Sequence, residues 1–504
     1  MLAELIAFIV YALLLSGLIL HNGFFGLFDD PTISRKKFAL LLLGKLTAVP
    51  LFILVYTKMY GGIENFDTGK FYHDVKVIFD YGKKEPGFLF QLILGLQDDS
   101  PGSSDYENAL KYTLNWDNGT VKDYMYNDNR ILIRSHVVLN FLAFNFYGIH
   151  ALLSCFLSFI GIVLLYKTFK EWFKGKEIPM LLVFCFFPAL WFYTGAMLKE
   201  GLTFFVLGCT LYLLKRVINR EYSLVIFAGL CFLLFLSLLL KPYLLVFSAF
   251  CFALFFKIHY TTFIKRKALV FFGCLLAATL GVNGLSVVIK HRSLLEAAIK
   301  HQHRFIGVSR GGIFLADSVN FIRLSNDTSQ LEKVSDKKDV YAIKQGTSYM
   351  YWKTVDQKDT LYCLENNDTT TRYNLVYIIT PGKSNVELPQ SGTFAILGAC
   401  LYYTLFHPAF FNARNALQVL ASCENLAVFA ALSIIFLGLI KRKKEKFIVL
   451  VFLTFALCLC ILIGLTAPNS GAIFRYRSPA MVFLLLGALY FIKDVRRIDS
   501  RSEN

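Results

Sequence analysis

Hydrophobic positions in this chain come in long runs, broken by short polar segments and by two long ones. A run of roughly 18 or more apolar residues is long enough to cross a bilayer as a helix. The pattern predicts eleven such helices, at about 2–22, 37–57, 147–167, 179–196, 200–214, 222–239, 243–257, 268–289, 419–440, 446–466 and 478–493. The expected fold class is therefore an all-α polytopic membrane protein, with a single membrane domain over residues 1–504. The first run has no basic leader and no small-residue cleavage site, so it reads as a retained helix rather than a signal peptide.

The two long polar segments, 58–146 and 290–418, are predicted as extracytoplasmic loops. Each contains apolar pieces too short to span: 86–97 and 130–145 in the first, and GTFAILGACLYYTLFHP (392–408) in the second. These read as interfacial or re-entrant helices. Segment 324–384 is polar, with strand-like pieces such as RYNLVYIIT (372–380), and predicts a small subdomain.

Charge settles which side is which. The net charge of +17 would suit a nucleic-acid partner, but the basic residues gather in short patches beside the apolar runs. The patches are 34–37, 167–176, 215–220, 257–267, 441–446 and 493–497. With eleven helices all six fall on one side, which the positive-inside rule makes the cytoplasm. The N-terminus is then outside and the C-terminus inside, with a lipid bilayer and no nucleic acid as partner. Of the 11 cysteines all but Cys363 lie in or beside apolar runs, and none forms a CxxC pair, so no disulfide framework or zinc site is expected. The 50 phenylalanines suit lipid-facing helices.

Chemistry is sought where polar residues meet the membrane on the outer side. NFDTGKFYHDVKVIFD (65–80) places Asp67 and Asp74 seven residues apart, on one face if helical, with Tyr72 and His73 between them. An aspartate there can serve as a general base, and partial burial would raise its pKa toward working pH. It can equally be an ordinary surface acid. Lys199 and Glu200 open a helix, either as functional charges or as a snorkelling lysine and a dipole-complementing glutamate. Lys241, before Pro242, is an interfacial anchor or a phosphate contact. Arg304 and Arg310, in KHQHRFIGVSRGG (300–312), can clamp a diphosphate. NSGAIFRYR (469–477) sets Asn469, Arg475 and Arg477 before the last span, where outside arginines suit an anionic headgroup or a lipid-linked phosphate. No Gly-rich phosphate loop, GxSxG or HExxH occurs, and the inside segments are too short for a nucleotide domain. A donor substrate must reach the site from the membrane or from outside.

An acidic motif in the first large outside loop resembles the GT-C class of membrane glycosyltransferases. RYRSP (475–479) is similar to an RY-x-x-P pattern near the last spans of bacterial members. FFPALWFYTGAMLKEG (186–201) resembles an FPS-x-x-FW-x-S-x-x-x-KE signature of bacterial sugar-polymer proteins, and the 406–425 segment is similar to a proline turn and Glu-Asn pair of the same group. The resemblance implies a polyprenyl-linked sugar donor, a glycan, lipid or protein acceptor, and Asp67 as catalytic base with Asp74 as runner-up. Tyr72, His73, Lys199, Glu200, Lys241, Arg304, Arg310, Asn469, Arg475 and Arg477 are then the substrate-binding candidates. No cofactor is required, though a divalent cation is compatible. The double-acid DxD pattern of some members is absent and an extra N-terminal helix is present. The long second loop with its arginines also resembles O-antigen polymerases and ligases. Two other classes stand beside these: a flippase or transporter, which would carry charges near the midplane with Lys45 and Glu424 as candidates, and a non-catalytic assembly protein.

Overall fold

The computed structural model describes residues 2–24, 26–100, 102–116, 129–290, 293, 312–316, 321–324, 328–334, 340–355, 358–379, 386, 388–389, 392–409, 411, 413, 416–441, 446–467 and 469–492. The first half is helical: α1 (Leu2–Asn22), α2 (Arg35–Leu46), α3 (Ala48–Tyr60), α4 (Asp67–Gly82), α5 (Pro86–Leu94), α6 (Ser104–Asn108), α7 (Asn129–Ala143), α8 (Tyr147–Phe169), α9 (Glu177–Phe186), α10 (Pro188–Thr194), α11 (Lys199–Ile218), α12 (Leu224–Leu240), α13 (Pro242–Tyr260) and α14 (Lys267–Lys290). After seven strands come α15 (Thr393–Leu405), α16 (Ala416–Lys441), α17 (Phe447–Thr466), α18 (Ser470–Tyr476) and α19 (Ser478–Phe491).

Among the described residues, eight helices are long and apolar enough to cross a membrane, or up to ten if two bent pairs each count as one span. This is an integral membrane protein of mostly helical build. The remaining expected segment, α12, has 17 residues, at the lower edge of a spanning length. Each break has a chemical cause. Pro188 lacks an N–H and pushes Phe187 to an extended ψ of 123°, so α9 and α10 meet at a 57° bend. Pro479 follows the 52° bend between α18 and α19.

Helix α8 lies at the centre, buried along nearly its whole length. It meets α11 backbone to backbone: a Cβ on Gly161 would lie 2.1 Å from the Phe204 carbonyl oxygen, and one on Gly208 would lie 2.1 Å from that of Gly161. Only glycine permits that approach. Phenylalanine also fills the interior, beyond the lipid-facing use that composition suggested. Phe169, Phe252, Phe452, Phe455 and Phe483 are all fully or nearly fully buried. Their rings join α8, α13, α17 and α19, with centroids 4.9 Å apart for Phe252–Phe483 and 5.3 Å for Phe169–Phe452.

Among the described residues, the basic patches 167–176, 215–220 and 257–267 meet at one end of this bundle. Lys215 Nζ donates to the Thr168 carbonyl at 2.6 Å, and Lys176 Nζ to those of Leu489 and Tyr490 at 3.0 and 3.1 Å. Tyr260 donates to Glu171 at 2.7 Å, and Lys170 pairs with Asp30 at 2.6 Å. Lysines here satisfy the carbonyls that helix C-termini leave open. The same contacts bring together the C-terminal ends of α8, α11, α13 and α19, so their N-terminal ends share the opposite end.

The second loop adds more than a helical reading expected. Its described part contains a seven-stranded antiparallel sheet in the order β3-β4-β7-β1-β2-β5-β6. The strands are β1 (Gly312–Ala316), β2 (Phe321–Leu324), β3 (Leu331–Lys333), β4 (Val340–Ile343), β5 (Ser348–Val355), β6 (Lys358–Glu365) and β7 (Tyr373–Ile379). Ile313 and Leu315 on β1 join Ile322 and Leu324 on β2 in one buried cluster, and Phe314, between them on the other face of β1, is also buried.

Candidate functional site

Four elements converge at the end opposite the basic patches. Leu198 is extended, and α11 starts at Lys199 with Glu200 in its first turn, where the helix dipole favours an anion. Lys241 sits in the short link between α12 and α13, kept non-helical ahead of Pro242. Arg475 lies on α18, and Asp67 is the first residue of α4.

Glu200 is the hub. Its Oε1 accepts from Lys241 Nζ at 3.1 Å and from Arg475 Nε at 3.0 Å. All three side chains are buried or nearly so. Tyr476 packs between the cations, with Lys241 Nζ 4.2 Å and the Arg475 guanidinium 5.0 Å from its ring centroid. The contacts of the outer nitrogens of Arg475 with the described residues are long: Nη1 lies 3.7 Å from Asp67 Oδ2, and Nη2 lies 3.5 Å from the Tyr476 hydroxyl. Asp67 is 59% exposed, so one carboxylate faces water while the other anchors the cations from below.

Arg477, two residues on, turns the other way. It is fully buried, its Nη2 3.1 Å from Glu424 Oε1 and its Nη1 2.7 Å from the Thr404 carbonyl. Glu424 Oε2 accepts from the Ala189 N–H at 3.0 Å, at the start of α10. This buried pair therefore joins α10, α15, α16 and α19 where the α9–α10 span is broken. Asn425 donates to the Pro408 carbonyl at 2.9 Å and fixes the turn beside it.

The two aspartates of the opening motif share α4 but not an environment. Asp74 is fully buried, and its carboxylate accepts from the backbone N–H groups of Leu114, Asn115 and Trp116 at 2.6, 2.7 and 2.9 Å. Burial raises its pKa above the ordinary value, and the three N–H donors and His73 offset part of that rise. Its oxygens are committed to the 114–116 turn, which is a structural arrangement. His73 lies half-exposed, its Nδ1 3.4 Å from Asp74 Oδ1. Tyr72 donates its hydroxyl to the Asn145 carbonyl and stacks edge-on against Tyr147. Asn469 is the N-cap of α18, accepting from Ala472 N at 2.7 Å. Lys199 is buried beside Glu200 in sequence. Arg304 and Arg310 lie outside the described residues.

The structure thus brings Asp67, Glu200, Lys241 and Arg475 together, and directs Asp74, Asn469 and Arg477 to neighbouring structural contacts. Sequence reasoning missed Glu200 as a hub and the Arg477–Glu424 pair. It also passed over two buried histidines, His136 and His150, whose Nδ1 atoms lie 3.1 Å apart. An ionisable residue inside an apolar stretch was the available signal in each case. No protein-family model, no curated protein and no solved structure matches this chain.

Proposed function

We propose that this chain is a membrane glycosyltransferase of GT-C type, moving a sugar from a polyprenyl-linked donor to an acceptor on the extracytoplasmic side. The observation that carries this reading is Arg475: anchored through Nε on buried Glu200, it turns Nη1 toward exposed Asp67 and Nη2 toward the Tyr476 hydroxyl. A guanidinium fixed in this way suits a phosphate leaving group, and a water-facing carboxylate beside it suits an acceptor hydroxyl. In the transfer step the acceptor oxygen bonds to the anomeric carbon and the carbon–oxygen bond to phosphate breaks. Arg475 and Lys241 take the developing charge, and Asp67 takes the hydroxyl proton. The clustering of basic patches at the opposite end supports an inside face there and an N-terminus outside. A polyprenyl-linked donor goes with residence in a bacterial inner membrane.

The test is an assay of purified protein with a panel of undecaprenyl-linked sugars, comparing wild type with Asp67→Asn. Lipid phosphate released by wild type alone supports the reading. Wild-type activity in Asp67→Asn sinks the assignment. Diphosphate release that ignores Asp67 but needs Arg304 or Arg310 indicates the polymerase or ligase class instead.

Lys45 favours a second reading, a transporter of polysaccharide intermediates. It is fully buried near the middle of the candidate span Arg35–Met59, and its Nζ lies 2.7 Å from Thr194 Oγ1 beside a broken helix pair. Buried midplane charge and broken helices are what transporters use. Under that reading Lys45→Met abolishes movement of lipid-linked sugar across proteoliposomes. Under the transferase reading it leaves sugar release unchanged.

A further inference from the structure

The buried His136–His150 pair sits at the junction of α4, α7 and α8, and its proton count can be worked out from the contacts around it. The Asn145 N–H can only donate, and its partner 3.0 Å away is Asn140 Oδ1. Asn140 Nδ2 in turn donates to Asn145 Oδ1 at 2.6 Å. The Asn140 amide is thereby oriented, so His150 Nε2, 2.9 Å from the same Oδ1, must carry a hydrogen. A neutral His150 then has a bare Nδ1, and His136 Nδ1–H donates to it across 3.1 Å. One proton lies between the two rings.

A second proton has no good place. On His150 Nδ1 it would point at the N–H of His136. On His136 Nε2 it finds no hydrogen-bond acceptor among the described residues. Either way a cation is buried without a touching carboxylate, which is expensive. The ionisable groups around the pair do not relieve it. On α4, Tyr72 meets the His150 ring edge-on at 5.9 Å, and Asp80 is occupied by Lys83 and, at 3.4 Å, by Asn145 Nδ2. On α1, Glu4 accepts from the Gly148 N–H at 2.7 Å and Tyr11 donates to the Leu142 carbonyl. Tyr147 on α8 bonds Thr68 at 2.7 Å. Helices α11 and α12 also pack on α7 and bring Lys199, Glu200, Cys209 and Cys231, none of which bonds either imidazole.

The same network holds a strained turn. Phe144 and Asn145 both take left-handed backbone angles, φ 50° and 60°, a conformation that Phe rarely adopts. The bonds from Asn140 hold that turn, and Asn145 in turn accepts from Tyr72 of α4. We propose that the α4–α7–α8 junction is an acid-sensitive latch: a second proton on the His136–His150 pair breaks the Asn140 network, lets the 144–145 turn relax, and frees α4 together with Asp67 at its tip. The latch stands apart from the transferase reading, since it follows from the proton count alone.

Desolvation, with a smaller push from His150, holds His136 well below the usual histidine pKa. The folded state therefore binds fewer protons than the unfolded one, and the stability contributed above pH 6.5 is lost as pH falls below it. Asp74 works with the opposite sign. Its raised carboxyl pKa means that acidification stabilises its own site, so an acid-induced loosening of α4 does not originate there.

The experiment is hydrogen exchange of residues 67–82 in full-length protein in nanodiscs, at about pH 7.5 and about pH 4.5, corrected for intrinsic exchange. Wild type should lose protection over α4 at the lower pH, by on the order of tenfold or more. His136→Gln should abolish most of that loss, because a glutamine amide can present either N–H or C=O to His150. His150→Gln removes the other ring and should do the same. Unchanged wild-type protection at the two pH values overturns the latch, and so does a full acid response retained in either variant. Should neither variant fold, the wild-type comparison alone still decides against the latch if α4 stays protected.

Discussion

Glu200 and Arg475 stand 275 residues apart in the chain and 3.0 Å apart in space, on the first turn of one helix and the last turn of another. Lys241 joins them from a third element on the same carboxylate oxygen. Two cations therefore depend on one buried anion, and the arrangement fixes the guanidinium that faces Asp67.

Removing that anion should be costly. Glu200→Gln leaves Lys241 and Arg475 buried without a full counter-charge, with an expected loss of about 3–5 kcal/mol. Thermal unfolding in detergent measures it. An unchanged midpoint would mean that the cations find other partners, and the hub would lose its standing.

The two aspartates of α4 should separate cleanly by phenotype. Asp67 is exposed, so Asp67→Asn should alter stability by less than about 0.5 kcal/mol while sugar transfer disappears. Asp74→Ala orphans three backbone N–H groups and should cost roughly 3 kcal/mol. Equal stability effects at the two positions would contradict the environments described here.

Arg477 and Glu424 form a pair best tested as a cycle. Arg477→Met alone should cost about 3–5 kcal/mol, because a buried carboxylate is left unpaired. Glu424→Met alone should cost a similar amount and also releases the Ala189 N–H. The double variant should be more stable than the sum of the two losses predicts, by at least about 1 kcal/mol of coupling. Simple additivity would show that the pair does not act as a unit.

Membrane orientation can be tested at the sheet. A protease site inserted at Thr370, in the exposed link between β6 and β7, should be cut by protease added outside sealed, right-side-out membranes. The same site inserted at Lys174, among the basic residues, should be cut only after lysis. The reverse pattern would invert the topology and with it the side on which Asp67 acts.

Much of the helical framework was legible along the chain because a bilayer demands it. A spanning segment must satisfy its backbone internally and cover itself with apolar side chains, so it shows as a run of fixed length. Runs 2–22, 147–167, 268–289 and 446–466 coincide with helices to within a few residues at each end. The run at 37–57 is two helices meeting at Thr47, and the run at 179–196 is bent at Pro188. The seven-stranded sheet was legible only as scattered strand-like pieces, since antiparallel pairing joins β1 to β7 and β2 to β5, segments distant in the chain, without a local signal.

The sequence by itself determined that this is a helical membrane protein, and it set the expectation that the basic patches lie at one end of the helices and the candidate chemistry at the other. Those properties follow from side-chain solubility, which each segment carries alone. Only the tertiary structure decided what each charge does. Asp67 and Asp74 are the same residue type seven positions apart, and Arg475 and Arg477 are two apart. A helix separates such neighbours into different surroundings, one toward water and the other into a buried pair or a ring of backbone donors. Burial and partner identity arise from elements hundreds of residues away, and those partners determine which carboxylate is available and which is occupied.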